Sequence, residues 1–376
     1  GGYNTALGEE ALANNTTASQ NTAVGYRGLF TNTTGGECIA VGGYTLYNNT
    51  TGNYNTAIGF STLGANTTAH NNTGCGFRAL GANTTGGNST AVGFNALRLA
   101  TTGNNNTGIG YSALYSTTTG GNNTAVGYES LLNHTTGNGN TAVGYQAARN
   151  RTTGSNTTAI GYSAARNGTT ADQCVAVGDN ALYTNTTGQE NVAIGTNALY
   201  NATSSYNVAV GRYANMLLTT GHSNMSFGTN AGYHTTTGNY NINLKGQPSS
   251  ATASNEITLG NTDHSDLRCN DTSISSLSDR RDKTDIIDLP VGLDFVNTLK
   301  PRQFKWKTRD GNIKDNMIRG GFIAQELQES QKTYKYLDLV MEKNPNRLEA
   351  KEGHLIPVLV KAIQELSAKV AALEAA

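Results

Sequence analysis

A mainly β chain is predicted, a parallel β-solenoid of 17-residue repeats followed by a small α+β domain that ends in a coiled coil. Three features of the 376 residues carry this reading: a fixed glycine period, a change of composition at Ser278, and a heptad pattern at the C-terminal end.

Glycines recur at a constant step of 17 from Gly8, Gly25 and Gly42 to Gly178 and Gly195, then continue at Gly211 and Gly228. Such a period marks a solenoid or stacked array. Abundant Asn, Thr and Gly would otherwise argue for disorder, and 45 Gly with five Pro exclude collagen. Each unit reads Asn-Thr-Ala-Val/Ile-Gly, then a small residue and Leu (Gly28-Leu29, Ala96-Leu97), then an Asn-Thr-Thr-Gly turn. One short β-prone run per unit, bounded by turn residues, is a strand and not a helix stripe. Stacking is expected to line Val24, Val41, Cys75 and the leucines into one thin core, with Asn over Asn and Thr over Thr. At about 4.8 Å per layer the rod is roughly 70 Å long. A core this thin favours several chains around a common axis.

Phe60, Phe77, Phe94, Tyr111, Tyr128, Tyr145 and Tyr162 follow the glycine in successive units. They read as a stacked structural ladder, with sugar binding as the alternative. The many Asn-x-Thr triplets recur because the repeat recurs, so they read as ladder and turn residues and not as glycosylation sites. Thr pairs raise an ice-binding alternative. Cys38 and Cys174 replace the repeat's Asn eight units apart, too distant for a disulfide. With Cys75 and Cys269 they leave four unpaired thiols, which fit synthesis in a reducing cytosol. Neither the six His nor any calcium-binding repeat suggests a metal, and no cofactor is expected.

Formal net charge is zero, so a sequence-independent grip on nucleic acid is not expected. No apolar run is long enough to span a membrane. The chain opens inside a repeat, at "GGYNTALG", so further residues are expected to precede Gly1. The shaft is placed at 1–246, a β-rich neck with strands around Ile257 and Ile274 at 247–277, a compact domain at 278–353 and a coiled coil at 354–376.

More than half of the charged residues lie after Ser278. A helix is expected over Val291–Leu299, stopped by Pro301, then a strand through Phe304 and Trp306, and "GGFIAQELQES" as a strand or turn entering a helix. Ile356, Leu359, Ile363, Leu366, Val370 and Leu373 are spaced 3, 4, 3, 4, 3, the seam of a coiled coil flanked by Glu365 and Lys369.

Two resemblances follow. The Asn-Thr-Ala-Val-Gly unit resembles the head repeats of trimeric bacterial adhesins, a left-handed parallel β-roll with a shorter repeat. The stretch Ser278-Asp279-Arg280-Arg281-Asp282-Lys283, followed by Ile286, Asp294-Phe295, Leu299-Lys300-Pro301, Phe304-Lys305-Trp306, Gly321-Phe322-Ile323-Ala324-Gln325-Glu326 and a terminal coiled coil, resembles the intramolecular chaperone autoprotease domain of phage tail spikes and fibres, the endosialidase type.

That resemblance implies a homotrimeric tail fibre of the virion, assembled in the host cytoplasm, whose partner is a host cell-surface glycan or protein. It also implies cleavage between Leu277 and Ser278 by a dyad of Ser278 and Lys283, with Asp279 and Arg281 supporting the motif. Lys serves as a base when burial or neighbouring cations keep it neutral, and Arg280 and Arg281 are the nearby cations. Spacing leaves the contact open, since i to i+5 lies on one side of neither helix nor strand. Without the resemblance Ser278 reads as a helix N-cap. A bacterial surface adhesin would share the repeats, whereas a polysaccharide-cleaving spike would need positioned carboxylates, of which the repeat region is almost free.

Overall fold

The computed structural model describes residues 1–248, 250–261, 278–305, 318–342 and 348–376, and divides into two compact units, Gly1–Leu259 and Gly260–Ala376. Leu277, Ile274, Cys269 and Trp306 lie outside the described residues.

Unit one is the parallel β-solenoid. Its strands run from β1 (Thr5–Leu7) to β16 (Ile257–Leu259), three residues each, and every strand pairs in parallel with the next in a single sheet. Register follows the repeat, with Thr5 on Thr22 and Ala6 on Ala23. β16 pairs with Ile242–Leu244, so Ile257 and Leu259 of the expected neck continue the stack.

Inside and outside differ from the expectation for Val. Successive side chains of a strand point to opposite faces, and in a Thr-Ala-Val strand the middle residue faces in. Ala23, Ala40 and Ala57 are fully buried, beside the Leu column of Leu29, Leu46 and Leu63. Val41, Ile58, Val92 and Ile109 face outward and are exposed, while Val24 and Cys75 are only half-buried. Leucine therefore forms the core with alanine, and the β-branched column forms an outer apolar stripe.

Polar ladders fill the rest. Asn106 Nδ2 donates to the carbonyl of Gly120 while its Oδ1 accepts from the backbone N–H of Asn123, and Asn123 repeats the pattern with Gly137 and Asn140. Threonines stack as expected, yet the hydroxyl donates to the next layer's backbone carbonyl, as in Thr33 to Thr50 at 3.0 Å. Most of these backbone and amide groups are thus satisfied between layers, which a lone coil could not do, while Asn83 Oδ1 and Asn243 Oδ1 are among the buried atoms left without a partner.

Three columns have left-handed backbone at residues that are almost all other than glycine, represented by Arg27 (φ 55°), Leu29 (φ 51°) and Glu37 (φ 55°). Such φ values are strained for β-branched side chains. Leu97 sits in one of these columns at φ 52°, fully buried. Leu97→Ile, which conserves volume, is expected to cost about 2 kcal/mol more than Leu97→Met, read from the urea unfolding midpoints of the two variants.

Unit two is a small α+β assembly. Helix α1 (Leu293–Val296) precedes strand β17 (Arg302–Phe304), which pairs antiparallel with β18 (Arg319–Gly321). Helix α2 (Ala324–Ser330), the two-residue strands β19 (Val340–Met341) and β20 (Glu349–Ala350), and the 19-residue helix α3 (Ile356–Glu374) complete it. Val291, Phe295, Leu327, Leu339, Leu355 and Val358 form its core. α1 is shorter than the expected Val291–Leu299, because a turn at Asn297 and Thr298 replaces its last stretch before Pro301.

α3 uses an unexpected face for this packing. Val358 and Ala362 are buried, and Glu365 accepts a hydrogen bond from the backbone N–H of Leu293 at 2.7 Å. Ile356, Leu359, Ile363, Leu366, Val370 and Leu373, the heptad seam, are left exposed.

Candidate active site

The charged stretch from Ser278 folds as a tight capped turn. Asp279 precedes a 3-10 turn over Arg280–Asp282, and its carboxylate accepts the backbone N–H of Arg281 at 2.8 Å. The same carboxylate takes both arms of the Arg281 guanidinium, from Nε at 3.1 Å and Nη2 at 2.6 Å. These charge-assisted bonds hold the Asp279 carboxyl below the usual range. The backbone closes with Asp282 N–H on the Asp279 carbonyl and Lys283 N–H on the Arg280 carbonyl, both at 3.2 Å.

This turn answers the spacing problem of i to i+5. Lys283 Nζ donates to Ser278 Oγ at 2.6 Å. Four of the five residues singled out in the sequence, Ser278, Asp279, Arg281 and Lys283, therefore meet in one local constellation; Leu277 lies outside the described residues. The cap belongs to Asp279 and not to Ser278, which leaves the serine hydroxyl to Lys283. The two arginines differ: Arg281 is paired with the Asp279 carboxylate at 2.6 Å, and Arg280 is exposed.

All residues from Ser278 to Ile286 are exposed in the single chain. Chemically, a contact of 2.6 Å is within the reach of a base that takes a hydroxyl proton.

Asp279 acts on this pair only through the turn. Asn caps as well as Asp does, so Asp279→Asn is expected to keep most of any reactivity of Ser278, whereas Asp279→Ala loses roughly tenfold. Single-time-point cleavage on a denaturing gel checks the ranking. Among the described residues no group of three or more His, Cys, Asp and Glu is arranged to hold a metal ion.

A β-solenoid joined to a compact unit that opens on this turn has the architecture of a fibre shaft carrying an intramolecular chaperone. Residues 278–340 match the family model described as chaperone of endosialidase. The match lies within the C-terminal unit, and the family implies self-cleaving autoprotease activity in general. A search of curated proteins gave no match.

Proposed function

We propose that the chain is a homotrimeric tail-fibre protein of a virion, assembled in the host cytoplasm by its C-terminal domain and then cut between Leu277 and Ser278. The carrying observation is the 2.6 Å contact between Lys283 Nζ and Ser278 Oγ at the first residue of the family match.

Ser278 also supplies the nitrogen of the scissile bond. Its Oγ attacks the Leu277 carbonyl, Lys283 takes the hydroxyl proton, and that proton passes to the departing Ser278 amine. An ester joins Leu277 to Ser278 Oγ, and water hydrolyses it to the Leu277 carboxylate and the free serine hydroxyl. One turnover consumes the substrate, because the enzyme is its own chain.

Two surfaces support the homotrimer. The exposed seam of α3 is a heptad face left uncovered by the described residues. The outer Val/Ile column of the solenoid is the second, since monomers seldom expose contiguous apolar patches beyond a few hundred Å².

Repeats explain why such a domain is useful. Layers that resemble one another invite slipped register and edge-to-edge association. A domain that trimerises first aligns the three chains, and cleavage afterwards leaves a product whose refolding lacks its template.

Receptor contact would fall to the shaft, with a host cell-surface glycan or protein as partner. From Phe60 to Tyr162 the rings of the aromatic column stack with centroids 5.1 to 5.8 Å apart and planes within 11°. A glycan there would meet ring edges and tyrosine hydroxyls, because the faces cover one another.

Intact mass and N-terminal sequencing of the purified chain, with sedimentation of the native product, test the proposal. A fragment beginning at Ser278 and a trimeric mass support it; an uncut monomer ends it.

A further inference from the structure

One buried column of the solenoid changes character midway. Asn32, Asn49, Asn66 and Asn83 each donate from Nδ2 to a carbonyl of their own turn and to Oδ1 of the Asn one layer before. After Asn83 the column reads Ala100, Thr117, His134, Arg151, Gly168, Asn185. Arg151 is 1% exposed.

Its guanidinium reaches forward into the following layer. Nε donates to the Gly154 carbonyl at 3.0 Å, as the Asn side chains do in their own turns. Nη2 donates to the carbonyls of Ser155, at 3.2 Å, and Ala171, and lies 3.8 Å from Asp172 Oδ1. Two glycines admit it: a Cβ at Gly154 in its own turn would clash with the guanidinium, and a Cβ at Gly168 in the next layer would lie against Nη1 at 3.6 Å, so that a longer side chain there would compete for the guanidinium's place.

The following layer is the one match in the array. Gly168 is the sole glycine of its column, and Asp172 the sole acid of the column that holds Ser155 and Gln189. If one coil were skipped, Arg151 would meet Asn185 and Gln189, which fill its space and offer no carboxylate. A buried arginine without its partners is strongly disfavoured, whereas one Asn layer accepts any other.

We propose that Arg151, Gly168 and Asp172 form a register key, a buried layer pair that allows one neighbour and so fixes the order of coils in an array of near-identical layers. Where Asn stands on Asn, from Asn32 to Asn83, the ladder gives stability without selectivity. The key gives selectivity at a cost, because an apolar or amide replacement of a buried charge is often neutral or stabilising.

The test uses the full-length chain in a Ser278→Ala background, so that every sample is one polypeptide. Arg151→Asn with Gly168→Asn restores an unbroken amide pair at the junction. After refolding from denaturant, samples are proteolysed briefly and the protected segments mapped by mass. The double variant is expected to unfold at the same or higher temperature, yet to hold about tenfold more molecules with one coil looped out and cut. Asp172→Asn removes only the half-exposed carboxylate and is expected to give an intermediate looped fraction. If both variants refold as uniformly as the parent, or if the double variant loses stability without added looping, the key is overturned.

Discussion

Replacing Ser278 with alanine is expected to leave the chain uncut, with no fragment beginning at residue 278 after any incubation. In the proposed mechanism the hydroxyl forms the new bond to carbon, and alanine offers no group in its place. Lys283→Ala is expected to slow cutting by roughly a thousandfold, the scale seen when one member of a catalytic unit is lost. Ser278→Cys separates the two roles. A thiol attacks with less help from a base, so this variant is expected to keep part of the reaction and to form a thioester that hydroxylamine cleaves at residue 277. Lys283→Arg keeps a positive charge beside Oγ and gives up the base, because guanidinium does not deprotonate. Cutting in Lys283→Arg at the wild-type rate would show that Lys283 only holds the turn. Denaturing electrophoresis with intact mass reads all four.

Acid is expected to weaken the solenoid well above the range where carboxylates titrate, through one residue. His134 is fully buried in the Asn column, with Nε2 2.8 Å from the Gly137 carbonyl. Burial, with help from the Arg151 charge one layer on, pushes its imidazole down from 6.5 to about 4. Between those values the unfolded chain binds a proton that the folded chain refuses. Stability is therefore complete above pH 6.5 and falls as pH drops toward 4, by an amount on the order of 3 kcal/mol, with no further loss from this residue below that. Urea unfolding of Ser278→Ala protein at pH 7.5 and pH 4.5 measures the drop. His134→Asn puts the column's usual amide opposite Gly137, as Asn32 stands opposite Gly35, and is expected to remove most of the pH dependence. An equal drop in that variant would assign the acid sensitivity elsewhere.

Much of this was legible before the structure. The 17-residue step becomes the strand register, Thr5 on Thr22 and onward, because parallel stacking turns sequence period into spatial neighbourhood. The burial of Val was misjudged, since hydrophobicity alone ranks Val24 above Ala23. The middle strand place holds mostly Ala, with Gly74 and Gly108 among its substitutes; small residues there mark the tight inner face. A second signal went unread. In a chain crowded with Thr and Val, the columns of Arg27, Leu29 and Glu37 contain no β-branched residue, as left-handed backbone demands.

At the candidate site the residue types were readable and their meeting was not. Ser278 and Lys283 stand five apart, and what joins them is the carboxylate of Asp279 holding both the backbone and the side chain of Arg281. Glu365 was expected at the flank of the coiled coil. It instead caps the start of α1, a long-range contact that no local spacing encodes.

The left-handed columns carry one more consequence. A residue such as Leu46, at φ 48°, is held against its own preference, and the layers on either side supply what holds it. A coil in isolation thus has no reason to close, while a coil laid on a finished one does. The solenoid should grow as a crystal grows, reluctant to nucleate and quick to extend from an existing face, so its finished length is set by the message and its birth by whatever makes the first layer.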